Sequence, residues 1–417
     1  MKWFTYSLIL VLSVWLGQQI YWHGIASING EHLQNPETTY EAINNDIYLT
    51  ADARTLLAEK ANEVGEFSVS EQLGIQALAS NMTSGAPASY MLSFYSSQKR
   101  DTEAESIAEI AGHLWPSHTY THTRLADYWF SQQRMDKLIP EWHILLSRNA
   151  SLYSTLFPVL VDSLNQSANK NLFKPYIKNP PNWWQSFFNY LSQNAQLELL
   201  DEVYQERTKS LTPITAEEKQ VYITRLLADK QWQQAYQTWQ TGISEKAKNQ
   251  LTDKNYVYDG GFEGDTINTG FDWQITNSKN VAINKDSSYG IKERQALHIH
   301  LKKNEPIDFQ HIAQTLLLPS GHYELSMRYR LDSLKTSKGL QWRIHCLDTM
   351  NESLVESQSL QGQQSWRDFS VKFDVPNNHC NVQLLRLEAS SPYRHEHYFD
   401  GDLWFDEIKI QSVAVKD

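Results

Sequence analysis

Along residues 38 to 250 apolar side chains recur three and four positions apart, glycine is sparse, and Pro and Asn fall where helices would end, so this stretch predicts packed helices. From residue 254 onward the period drops to two, and Gly, Asn and Asp become frequent. The clearest strand is "HYELSMRYRLD", in which Tyr323, Leu325, Met327, Tyr329 and Leu331 alternate with His322, Glu324, Ser326, Arg328 and Arg330. "LQWRIHC" sets Leu340, Trp342, Ile344 and Cys346 against Gln341, Arg343 and His345, and "FSVKFDV" points Phe369, Val371, Phe373 and Val375 inward. Further strands are expected around 281–283, 297–301, 312–318, 382–387 and 403–410. About eight strands joined by turn-rich loops predict an antiparallel two-sheet sandwich of jelly-roll type over 254–417. The expected fold is therefore multidomain, all-α helical repeats followed by an all-β sandwich. In the last strand, strict alternation would put Trp404, Asp406, Ile408 and Ile410 on one face, and Asp406 in an apolar row needs a partner.

The helical part contains an echo. Ser97, Gln98 and Arg100 return as Ser131, Gln132 and Arg134, and the same shift of 34 carries Met91 to Leu125, Tyr95 to Trp129 and Ala77 to Ala111. A 34-residue helix-turn-helix period resembles tetratricopeptide repeats, and "YITRLLADKQWQQAYQTW", with Trp232 and Ala235, resembles a further unit. The resemblance implies a curved stack whose groove holds protein partners. Trp115, Trp129, Trp142, Trp183, Trp184 and Trp239 are expected in its core.

Three bulk features narrow the class. A net charge of -11 argues against a phosphate-backbone binder, so no nucleic-acid partner is expected. Residues 1–27 place Lys2 before an apolar run from Trp3 to Gly17, with a modest cleavage site at Gly24-Ile25-Ala26; they read as a signal peptide or an uncleaved membrane anchor. Either reading sends the rest of the chain to the periplasm, free or held at the inner membrane. There the two cysteines, Cys346 and Cys380, are expected to form one disulfide.

Within 256–412, "YVYDGGFEGDTINTGFDWQI", "LLLPSGHYELSMRYR", "SWRDFSVKFDVP" and "DGDLWFDEIKI" resemble the jelly-roll carbohydrate-binding modules of glycan-active bacterial enzymes. That resemblance implies a structural calcium held by Glu263 and Asp406; the alternative is an Asp406 capped by backbone N–H groups or paired with an arginine. Sugar recognition needs an aromatic platform with convergent polar groups, for which Trp366, Glu324, Arg328, Arg330, Arg343 and His345 are the candidates. The arginines would suit an acidic sugar, and a bland solvated face is the competing reading.

The pairs His298–His300 and His395–His397 lack the companion ligands of a catalytic metal site, and no G-x-S-x-G, P-loop or G-x-G-x-x-G is present. No enzyme is expected. Helical repeats joined to such a sandwich resemble proteins associated with bacterial exopolysaccharide production, which implies a scaffold binding protein partners and a polysaccharide. The rival readings are a polysaccharide-modifying enzyme with an interdomain site and a purely structural interaction module.

Overall fold

A computed structural model of the chain describes residues 11–22, 24 and 49–414, apart from 115, 117, 245–247, 249–250, 252–254, 292, 303–304, 348 and 350–352. The expectation for Trp115 and most of the N-terminal reading lie outside the described residues. Residues 11–22 are helical and, apart from half-buried Gln19, exposed. Among the described residues no helix is long and apolar enough to cross a membrane.

The chain divides into two compact units, one up to Phe187 together with Lys209–Thr212, the other Phe188–Thr208 and Pro213 onward. In the first unit the 34-residue echo is geometric. Helices α1 (Ala51–Glu63) and α2 (Phe67–Ser80) are followed by α3 (Gly85–Ser97) and α4 (Asp101–Leu114), then α5 (Thr119–Ser131) and α6 (Met135–Arg148). Adding 34 to each boundary of one pair gives the next. The first helix of each pair ends on a left-handed residue, Gly65, Lys99 and Gln133, with φ of 86°, 58° and 56°. In each case the following N–H reaches back five residues: Glu66 to Ala61, Arg100 to Tyr95 and Arg134 to Trp129. Side chains repeat as well. Arg100 binds Glu71 at 2.8 Å and lies over Tyr95 at 4.6 Å, and 34 residues on Arg134 lies 3.5 Å from Glu105 and over Trp129 at 5.9 Å. Small residues sit where helices approach, with Ala77, Ala104 and Ala111 fully buried. Trp129, Trp142, Trp183 and Trp184 are buried as expected. Helices α7 (Tyr153–Asn165), α8 (Lys170–Lys178) and α9 (Trp184–Asn194) follow, the first two with an internal Pro, and the 34-residue spacing stops.

The second unit contains the end of α9 from Phe188, α10 (Leu197–Thr208), α11 (Ala216–Ala228), α12 (Trp232–Gln240) and, among the described residues, ten strands. The change of period at 254 is a change of secondary structure inside this unit. Arg207 and Glu218, each 1% exposed, join α10 to α11 by a 2.9 Å ion pair. Trp239 of α12 packs against Phe271 and Tyr258, with ring centroids 5.7 and 5.0 Å apart. Gly270 makes that approach possible, because at φ 63° a Cβ there would stand 2.8 Å from the Trp239 ring.

The strands are β1 (Trp273–Ile275), β2 (Val281–Asp286), β3 (Ala296–Leu301), β4 (Ile312–Leu316), β5 (Gly321–Lys335), β6 (Leu340–Cys346), β7 (Ser353–Glu356), β8 (Gly362–Val375), β9 (Gln383–Ala389) and β10 (Asp400–Ser412). They form two antiparallel sheets, ordered β1-β4-β9-β6-β7 and β2-β3-β10-β5-β8. This is the expected sandwich, with Trp273, Trp342, Leu325, Phe405 and Ile408 in the core between the sheets. Cys346 and Cys380 are bonded, as expected.

One expectation is overturned in β10. Leu403 and Phe405 face the core, as do Ile408 and Ile410, which strict alternation forbids. The cause is a bulge: Asp406 pairs with Arg328 but Lys409 with Ser326, so three residues of β10 oppose two steps of β5, and Glu407 turns left-handed at φ 51°. Asp406 therefore leaves the row of Ile408 and Ile410 and faces outward, beside Trp404 in register.

Candidate functional site

The outward positions of β3, β10, β5 and β8 carry the densest chemistry. Arg330 and Trp404 are register partners on β5 and β10. The Arg330 guanidinium lies 4.7 Å from the Trp404 ring and 4.8 Å from the ring of Tyr289, a residue of the β2–β3 loop. It donates to the Ser288 hydroxyl at 2.8 Å and to the Asp332 carboxylate at 2.5 Å. The opposite face of Trp404 is covered by His298, parallel at 3.9 Å. Trp404 is thus enclosed and cannot act as a platform.

Trp366 and Tyr289 are placed differently. Trp366 is half-exposed on β8, with its indole N–H donating to the Tyr289 carbonyl at 2.7 Å, and Arg328 stands 5.4 Å from its ring. Gly290, at φ 79°, lets the loop pass the indole, since a Cβ would meet it at 2.9 Å. Tyr289 is 74% exposed, one ring face resting on Arg330. The product is a tethered aromatic surface over two arginines. Its edge is acidic: His298 lies 2.8 Å from Asp286 and 2.7 Å from Asp402, which also receives His300 at 2.9 Å. Burial raises the Asp402 carboxyl, but the two histidine hydrogen bonds outweigh it and hold the group below the usual range. Both arginines have carboxylate neighbours, Arg328 with Asp368 at 3.3 Å and Glu407 at 4.0 Å, and Arg330 with Asp332.

The six residues expected to converge on sugar do not all meet. Trp366, Arg328 and Arg330 do. Glu324 shares β5 but stands six residues from Arg330, about 20 Å along the strand. Arg343 and His345 lie on β6, in the other sheet, because β5 and β6 are neighbours in sequence but not in a sheet. There they form a separate cluster. His345 Nε2 lies 2.5 Å and Arg343 3.7 Å from Glu388, whose other oxygen accepts from Arg386 at 2.8 Å, and Arg343 lies 3.0 Å from Glu356. Burial raises the Glu388 carboxyl, yet His345 and Arg386 bring it below its ordinary value. Tyr289 and Trp404 were missed from sequence, Tyr289 because a loop has no period and Trp404 because the bulge reverses its face.

A third feature is a cleft of about 680 Å³ lined in part by Asp259, Glu263, Asp265, Glu293, Asp406 and Glu407. Asp406, 2% exposed, accepts the Glu407 N–H at 2.7 Å through Oδ1, while its buried Oδ2 has no hydrogen-bond partner among the described residues. Burial first, and the nearby Glu407 charge, push its carboxyl up, against the Glu407 N–H and Arg328. Asp406 is thus capped on one oxygen only. Glu263 is largely committed: one oxygen accepts the Arg294 and Gln295 N–H groups at 2.8 and 2.6 Å. Among the described residues no group of three or more His, Cys, Asp or Glu is arranged to hold a metal. The partnerless Asp406 Oδ2 in an acidic cleft fits one ligand of a hard cation; the second oxygen of Glu263, 3.5 Å from the Arg294 guanidinium, would have to leave that ion pair to be another.

No family model matches the chain, and no curated protein matches it. Among solved structures the chain is similar to a CBM4 structure, at 15% identity over 38% of this chain and 99% of that one, with a TM-score of 0.28. It is similar to the CBM22-1 xylan-binding domain of Paenibacillus barcinonensis Xyn10C, at 15% identity over 37% and 93%, TM-score 0.27. It is also similar to TmCBM61 in complex with beta-1,4-galactotriose, at 16% identity over 38% and 99%, TM-score 0.27. At these TM-scores the likenesses carry no inference about ligand, and the sandwich is identified by its own strand order.

Proposed function

We propose that the protein is an exported, non-catalytic scaffold of exopolysaccharide assembly or export, whose sandwich binds a polysaccharide at the surface built by Tyr289, Trp366, Arg328 and Arg330. The observation that carries this reading is Tyr289, a large ring 74% exposed yet fixed from below by Arg330 and at its backbone by the Trp366 indole. A rigid exposed ring loses little entropy on stacking against a sugar's C–H face, and arginines beside it can donate to hydroxyls or to an acidic sugar's carboxylate. The 34-residue helix pairs resemble tetratricopeptide repeats and would hold protein partners of the same machinery. The apolar N-terminal segment supports a periplasmic location, tethered at the inner membrane if uncleaved. A calcium ion held by Asp406 with Glu263 would brace the bulged strand rather than act on substrate.

The test is affinity electrophoresis of the full chain through gels containing neutral or acidic polysaccharides. Retardation by at least one polymer, lost in Tyr289→Ala and Trp366→Ala at unchanged melting temperature, is the expected result. Equal retardation of both variants and the parent protein would refute the assignment of the surface.

A further inference from the structure

A second cleft in the same compact unit has the opposite electrostatic character. It measures about 830 Å³ and lies between α12 and the sandwich, lined by Gln205 of α10, Trp232, Gln233 and Gln237 of α12, and Leu317 and Asn381 at strand ends. Although the chain carries 48 Asp and Glu, among the described residues the lining contains no carboxylate and a single cation, Lys230. Nearly all its polar groups are amides and one hydroxyl. The α12 side of the cleft is fixed. Gln234 donates to Asp201 at 2.9 Å and to the Tyr222 hydroxyl at 2.8 Å, Ala235 is fully buried, and Trp239 is locked against Phe271. By contrast, the side-chain amides of Gln205, Gln233 and Gln237 make no hydrogen bond among the described residues and are exposed. Trp232 is half-exposed between them.

We propose that this cleft is a second saccharide-binding site, separate from the Tyr289–Trp366 surface, and that it takes a neutral oligosaccharide segment. An amide carries both a donor and an acceptor, the pairing a sugar hydroxyl needs, and the unspent amides of Gln233 and Gln237, one turn apart on α12, with Gln205 on α10, can meet successive hydroxyls. Trp232 supplies the flat apolar face for the ring C–H groups, with Leu317 across the cleft. Without a cluster of cations the cleft has nothing to neutralise a uronic acid chain, and without carboxylates it has nothing for a cationic one. A peptide is disfavoured by the shortage of apolar pockets, since Trp232 and Leu317 are the apolar lining residues. Two sites of different charge preference on one chain would let the protein grip a polymer at two points along its length.

The test is calorimetric titration of the full chain with xylohexaose, cellohexaose and β-1,4-galactotetraose, with oligogalacturonate and an unstructured peptide as contrasts. A neutral oligosaccharide is expected to bind, to weaken by about tenfold in Trp232→Ala and by a smaller factor in Gln233→Ala/Gln237→Ala, and to be retained in Trp366→Ala. The exposed glutamine pair guards against a folding artefact, because its replacement should leave the melting temperature unchanged. Binding that survives both cleft variants, binding confined to oligogalacturonate or to the peptide, or no binding by the parent protein would overturn the proposal. Loss in Trp366→Ala alone would leave the first surface standing and remove this one.

Discussion

Replacing Asp406 by Asn should stabilise the protein in the presence of a chelator. The wild-type carboxylate is 2% exposed and has a buried Oδ2 with no partner, in a cleft shared with Glu293 and Glu407. Asn keeps an oxygen for the Glu407 N–H and turns an uncharged amide, a donor, toward those acids. A buried polar atom left unsatisfied costs about 1–3 kcal/mol. For a domain of this size each kcal/mol moves the melting temperature by roughly 2–4 °C, so the variant should melt several degrees higher at pH 7. The sign of the pH effect follows from the raised carboxyl. A raised folded value means the folded protein holds the proton more tightly than the unfolded chain, so the wild type recovers stability as pH falls through the folded value. The gap to the variant should therefore close in acid. The calcium ion proposed at this site would reverse the order at neutral pH, raising the wild type by mass action and leaving Asp406→Asn behind. Differential scanning calorimetry in chelator and in calcium reads both effects. A variant that melts below the wild type in chelator would show that Oδ2 has a partner, and the reasoning fails.

Gly260→Ala should be strongly destabilising. Its Cβ would stand 1.9 Å from the Ile408 carbonyl oxygen, a backbone atom that cannot rotate away, and overpacking of this kind costs about 1–3 kcal/mol or more, readable as a lower denaturant midpoint at unchanged slope. Reducing the Cys346–Cys380 bond, which spans a separation of 34, should lower stability by about 4 kcal/mol on the loop-entropy relation, measurable by melts with and without reductant. Glu388→Gln should flatten the acid limb of stability. The wild-type carboxyl is held below its ordinary value, so its contribution is complete above the unfolded value and is lost as pH falls through the folded one; parallel acid profiles for variant and wild type would contradict the His345–Arg386 account.

The helical period was readable because identical boundaries recur: the echo from Ser97–Arg100 to Ser131–Arg134 lies at the turn where each pair reverses. The left-handed residue of that turn was hidden, since only Gly65 of the three advertises its conformation, while Lys99 and Gln133 adopt it without a glycine. In the sandwich, alternation placed most inward residues correctly, from Tyr323 to Leu331 and from Leu340 to Cys346. Alternation assigns a residue to a face of its own strand and says nothing about which sheet the strand joins. That is why alternation alone groups Arg343 and His345 with Arg328 and Arg330, which the sheet order separates. Nor does it register an inserted residue, and the bulge at Glu407 exchanged the faces of Trp404 and Phe405 relative to Ile408. Tyr289 gave no signal, because its role comes from a loop folding back over β5 and β8.

The central claim concerns the surface of Tyr289 and Trp366, and the most direct measurement is titration calorimetry of the full chain and of Trp366→Ala against a polysaccharide that retards the parent protein. Saturable binding to the parent, weakened by roughly tenfold or more in the variant while Trp232→Ala retains that site, is the predicted result. Binding of equal strength to the parent and to Trp366→Ala would contradict the account.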